Sequence, residues 1–263
     1  MTMADDARSN VPMRGRVEVL QLEITYRCQL LCPRCNRHCN LQQLEYLHDA
    51  DLTMAQLDRC IGQIRSADVH LRQIRVLGGE PLLHPQIDEF LVRLVSSLMI
   101  DGFAETIVVV TNGVIPARER LSPALAGPAV RGMIDQGRIQ FQIAWPGKQK
   151  SFRGVLVSPA DMGMPWRECG VPRVCGSCLN AYGYWPNGNC GAVARLFGMG
   201  EYARFEFPIV FEDTWPHLEA DLCRHCVKGS AVLVHNASDA ITRSYRNAID
   251  SWTRGSRPAF RRF

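Results

Sequence analysis

Apolar and polar positions along this chain alternate between two periods, one fitting strands and one fitting helices. Residues 17–25, VEVLQLEIT, read as a strand that feeds a cysteine-bearing loop. TMAQLDRCIGQIRSA reads as an amphipathic helix with Thr53 near its start. LRQIRVLGG predicts a strand, PQIDEFLVRLVSSL a helix, and TIVVVTNG a fully buried strand. IPARERLSPALAG predicts a broken helix, RIQFQIAW a further strand, and RGVLVSP one more. Strand and helix alternate at short intervals, which predicts an α/β fold with a parallel core.

The periodicity stops near residue 160. DMGMPWRECGVPRVCGSC is rich in proline, glycine and cysteine. LNAYGYWPNGNCGAV predicts a hairpin, with Pro186, Asn187 and Gly188 as its turn, followed by a short helix over VARLFGMG. The tail starts helical and ends basic; Arg254, Arg257, Arg261 and Arg262 read as a solvated end. Two segments are therefore expected, 1–160 as the α/β body and 161–263 as a cysteine-rich appendage.

Composition narrows the class. The 263 residues are 46% hydrophobic and 21% charged, ordinary for a globular protein. A net charge of +4 is too modest to indicate nucleic acid. No apolar run reaches the ~18 residues of a membrane span. The first residues are polar and lack the apolar core of an export signal, so the expected location is cytoplasmic. In that setting eleven cysteines point to metal or redox chemistry rather than disulfides. They cluster at 28, 32, 35 and 39, at 169, 175, 178 and 190, and at 223 and 226. Cys60 stands alone in a predicted helix and reads as a small buried hydrophobe.

Cys28, Cys32 and Cys35 lie on one short loop. A structural zinc site wants four protein ligands, with Cys39 or His38 available as the fourth here. An iron–sulfur cube can instead take three thiolates and leave one iron open to an outside ligand. Two further motifs fall at predicted strand ends, where α/β folds bind ligands. VLGGEPLLHP offers Gly78 and Gly79 for close backbone approach and the carboxylate of Glu80; VVVTNG ends in Thr111 and Asn112.

CQLLCPRC, GGEPLL and TNG, in this order and over residues 17–147, resemble the radical S-adenosylmethionine (SAM) superfamily. The resemblance implies a partial (β/α)6 barrel and a 4Fe-4S cluster on Cys28, Cys32 and Cys35, with SAM chelating the open iron. It implies that Gly78, Gly79 and Glu80 hold the methionine amino end, with Thr111 and Asn112 near the ribose or carboxylate. Two positions depart from the family: Arg34 stands where many relatives have an aromatic residue, and QIAWPG stands where many have a serine, leaving Gln142 or the backbone for that contact. The reaction implied is cleavage of SAM to a 5′-deoxyadenosyl radical, which abstracts hydrogen from a substrate. It implies a flavodoxin- or ferredoxin-type electron donor.

The C-terminal cysteines resemble the SPASM or Twitch appendage of some members, which carries a second, auxiliary 4Fe-4S cluster. The ligands so implied are Cys175, Cys190, Cys223 and Cys226, with Cys178 or Cys169 as substitutes for Cys175. A zinc knuckle of Cys175, Cys178, Cys223 and Cys226 is the alternative. The layout is similar to that of radical SAM aminocyclitol dehydrogenases, which implies oxidation of a small polar metabolite. Epimerisation, maturation of a ribosomal peptide, and a zinc-binding interaction protein stand as alternatives. His84, Arg153 and Asp161 are further candidates without a motif, and Tyr182, Tyr184 and Trp185 read as hairpin packing.

Overall fold

A computed structural model describes residues 15–30, 32, 35, 37–39, 51–144, 161, 163, 176–207, 221–226, 243–254 and 261–263. The first half alternates as its periodicity predicts: β1 (Arg16–Thr25), α1 (Met54–Ser66), β2 (His70–Gly78), α2 (Ile87–Leu94), β3 (Ala104–Thr111) and β4 (Ile139–Ile143). The broken helix between β3 and β4 is two short turns, α3 (Ala117–Arg120) and α4 (Ser122–Ala126). An unforeseen third helix follows, α5 (Pro128–Asp135), with Pro128 at its first position, where a missing N–H costs nothing.

Local chemistry sets these boundaries. Thr53 caps α1 by accepting from Gln56 N, and the Gln56 side chain accepts from Thr53 N, a reciprocal box that satisfies two end donors. Gln56 Nε2 then donates to the carbonyls of Ala181 and Phe263, tying α1 to the far end of the chain. Cys60, on the inner face of α1, is 1% exposed, and burial pushes its thiol up to about 12. Its thiolate fraction at pH 8 is then on the order of one in ten thousand. Iodoacetamide at that pH is expected to spare Cys60 in the native protein and label it after unfolding, read by peptide mass spectrometry. Rapid native labelling would contradict this placement.

The sheet has six strands in the order β4-β3-β2-β1-β5-β6, with β5 spanning Ser177–Asn180 and β6 Gly183–Trp185. All neighbours are parallel except β5 and β6. The observed architecture is thus a mixed α/β sheet with five consecutive parallel strands, β4-β3-β2-β1-β5. The fifth strand pairs with β1 rather than β4, and the expected strand RGVLVSP lies outside the described residues. Residues from the cysteine-rich half thereby extend the sheet built by the first half.

One expectation is corrected. The hairpin turns at Ala181 and Tyr182, not at Pro186–Gly188. Asn187 instead caps helix α6 (Gly188–Phe197), its side chain accepting from Asn189 N. A helix N-cap and a hairpin turn favour the same residue types, and here the cap prevailed. Tyr184 and Trp185 are fully buried. Helix α7 (Arg243–Thr253) follows later. Among the described residues no helix is long and apolar enough to cross a membrane.

Candidate active site

Three loops meet at the C-terminal ends of β1, β2 and β3. Pairing between β1 and β2 continues past the strands: Gly79 N donates to Thr25 O at 2.8 Å and Glu80 N to Arg27 O at 2.7 Å. The GGE loop therefore lies directly against the root of the cysteine loop. A side chain at Gly79 would run into the carbonyls of Tyr26 and Arg27. At Gly78, φ is +153°, and a Cβ would strike Thr25. Glycine is required at both positions by this close approach.

Glu80 is fully buried and joins β2 to β3. Oε1 accepts from Leu82 N at 3.1 Å and from the Thr111 hydroxyl at 2.9 Å; Oε2 accepts from Asn112 N at 2.7 Å. A carboxylate has about four acceptor sites, so three are spent inside the protein. Glu80 thus ties the GGE loop to the TNG loop. Glu80→Ala is expected to orphan the Leu82 and Asn112 amides at about 1–3 kcal/mol each, measured by denaturant unfolding. A stability within 0.5 kcal/mol of wild type, well below that estimate, would contradict this role.

Asn112 turns its side chain toward the first cysteine: Nδ2 lies 3.9 Å from Cys28 Sγ and 3.3 Å from Gln29 Oε1. Cys28, Cys32, Cys35 and Cys39 line a cavity of about 170 Å³. Gly78, Gly79, Thr111 and Asn112 line it as well. Burial, then the neighbouring Cys35, Cys32 and Glu80, raise the Cys28 thiol above its ordinary range. A hydrogen bond with Cys35, together with burial, holds Cys39 higher still. Burial, with Arg195 and Arg37 close by, drops His38 to about 3, so its imidazole is neutral. Gln142 is exposed; it is the register partner of Val110 on the edge strand, and the cavity wall is completed by Ala144 instead. Arg34 lies outside the described residues.

The donor set fits a 4Fe-4S cube: three thiols share one cavity with bare glycine backbone, which suits three thiolate ligands and one iron left open.

The second cysteine group gathers on the other side of β1. Cys178 on β5, Cys190 in the first turn of α6, and Cys223 and Cys226 flanking a short helical turn share one packed patch with Trp185, Val193 and Leu222. Cys178 is fully buried, and burial, Glu23 and Cys190 hold its thiol well above the ordinary range. Cys169, Cys175 and Arg153 lie outside the described residues. Asp161 accepts from Ser244 N and Oγ at the start of α7, a helix cap. His84 is buried, with Nε2 3.0 Å from Leu52 O and Nδ1 accepting from Gln86 N, a structural role.

No protein-family model matches the chain. Curated relatives do. GTP 3′,8-cyclase of Chlorobaculum tepidum is 32% identical over 103 residues, which is 39% of this chain and 28% of that protein. PqqA peptide cyclase of Bradyrhizobium diazoefficiens is 27% identical over 148 residues, 56% of this chain and 33% of that protein. The chain thus spans about a third of the length of these two relatives. A solved structure, BtrN in complex with AdoMet and 2-DOIA, superposes with a TM-score of 0.44 at 16% identity, over 80% of this chain and 88% of that one. The three-cysteine loop set against the GGE and TNG loops and the likeness to these cyclases together support a radical SAM superfamily protein.

Proposed function

We propose that Cys28, Cys32 and Cys35 hold a 4Fe-4S cluster and that SAM binds beside it over Gly78 and Gly79. The observation that carries this reading is the shared cavity of the three thiols and the two glycines. When bound, the cluster and SAM supply reductive cleavage to methionine and a 5′-deoxyadenosyl radical. The chain's own residues set the geometry. Gly78 and Gly79 leave room for a ligand against bare backbone, and Glu80 fixes the distance between the β2 and β3 loops. Thr111 and Asn112 present polar groups at the cavity wall, and Gln142 sits further out on the edge strand.

The substrate reading is a two-electron oxidation of a small polar metabolite such as a sugar or aminocyclitol. Its support is the second cysteine patch, which fits an auxiliary 4Fe-4S cluster able to take the electron left on a substrate radical. Cys190, Cys223 and Cys226 are three ligands, with Cys175 or Cys178 as the fourth; Cys178 is the one within the described patch. The resemblance of both regions to a Twitch-bearing partial barrel belongs to this reading, as does a flavodoxin- or ferredoxin-type donor. A redox-neutral or peptide-directed reaction is the second reading, favoured by the likeness to PqqA peptide cyclase. Anaerobic incubation of the reduced protein with SAM and sugar or aminocyclitol candidates separates them. Oxidation yields a product lighter by two hydrogens; an epimerised product of unchanged mass, or turnover of a peptide alone, would contradict the first reading.

A further inference from the structure

The most heavily built feature outside the GGE and TNG loops is a charged pair inside the protein. Glu23, on β1, has no exposed side-chain surface and forms an ion pair with Arg37, whose side chain is 15% exposed. The other Glu23 oxygen accepts from the Tyr26 hydroxyl at 2.7 Å. Asn180 Nδ2 donates to the same hydroxyl oxygen at 3.0 Å, and Trp185 Nε1 donates to Asn180 Oδ1 at 3.1 Å. Helix α6 closes the assembly from above. Gly188 lies so near that a Cβ there would collide with both the Arg37 guanidinium and the Glu23 carboxylate. Arg195, two turns on, donates to the Arg37 carbonyl at 2.8 Å and lies 3.7 Å over the Tyr26 ring.

Stability is a poor account of this arrangement, because a buried ion pair gains little over an apolar pair of similar volume. Position is a better one. Arg37 follows Cys35 by two residues and lines the same cavity as Cys28, Cys32 and Cys35. The pair therefore links the first cysteine loop to the helix that carries Cys190.

We propose that Arg37, held by Glu23 and pressed down by α6, is a positioning residue that sets the charge beside the cluster of Cys28, Cys32 and Cys35. The inference rests on the cluster reading given above. A cube held by three thiolates is negatively charged, and more so after reduction. A fixed guanidinium at its wall favours the reduced form, and the adjoining carboxylate partly cancels that effect. The two residues act on the reduction potential with opposite signs, which a purely structural pair would not do.

The test is a redox titration of the anaerobically reconstituted full chain, followed by electron paramagnetic resonance. Arg37→Met is expected to lower the potential, Glu23→Gln to raise it, and Arg37→Lys to stay near wild type. Potentials that do not move, or that move in the same direction in the first two variants at wild-type iron content, overturn the inference and leave the cluster reading intact. If Arg37→Met loses its cluster, an unchanged potential in the near-isosteric Glu23→Gln overturns it equally. A wild-type protein that takes up no iron overturns the cluster reading itself.

Discussion

Protein carrying alanine at Cys28, Cys32 and Cys35 together is expected to form no 5′-deoxyadenosine from SAM under reducing conditions, whereas wild type does. The three thiols line one cavity, and among the described residues that line it the remaining thiol is Cys39, which alone cannot replace three ligands. The loss is expected to be complete rather than graded, because ligation by fewer thiolates leaves the cube without its anchors. The fold should survive, since β1 through β4 are packed by apolar residues elsewhere. Some iron should remain if the second patch holds a cluster of its own. Liquid chromatography of nucleoside products checks this, and normal 5′-deoxyadenosine from the folded triple variant would refute the ligand assignment.

The second large effect concerns Cys223 and Cys226. Replacing both with alanine is expected to lower bound iron by about half, since the two ligand sets are separate. The variant should still make 5′-deoxyadenosine, because the first cavity draws on neither residue. It should lose oxidised product, because the electron left on the substrate would have no acceptor. Measuring iron, 5′-deoxyadenosine and product in one preparation separates these steps. Undiminished oxidised product from a folded variant lacking the second cluster would remove that cluster from the mechanism. Stoichiometric zinc with a single cluster would favour the knuckle instead.

The parts of this account that were legible in the sequence are those fixed by short-range pattern. The strand-end motifs could be placed because GGE and TNG follow apolar runs long enough to be buried strands, and β2 and β3 do end there. Thr53 signalled its helix because the capping box is local. What escaped was set by contacts between distant segments. Glu23 and Gln21 alternate with apolar neighbours on β1, the usual mark of a solvent face, yet both are buried under the cysteine loop and α6. The signal available was a charged residue in a strand buried along its second half. Arg195 looked like an ordinary helix arginine and is 2% exposed. The pairing of β5 with β1 depends on a return across more than 150 residues, which no local pattern encodes. Pro186–Gly188 was misassigned because turn and cap chemistry overlap.

The central claim is that the first cysteine loop holds an iron–sulfur cluster with a site open to SAM. It is tested most directly by quantifying iron, sulfide and zinc in the anaerobically reconstituted protein and recording its reduced spectrum with and without SAM. The account predicts iron and sulfide in equal amounts, little zinc, and an electron paramagnetic resonance signal that changes when SAM is added. Bound zinc without sulfide, or a cluster signal indifferent to SAM, would contradict it.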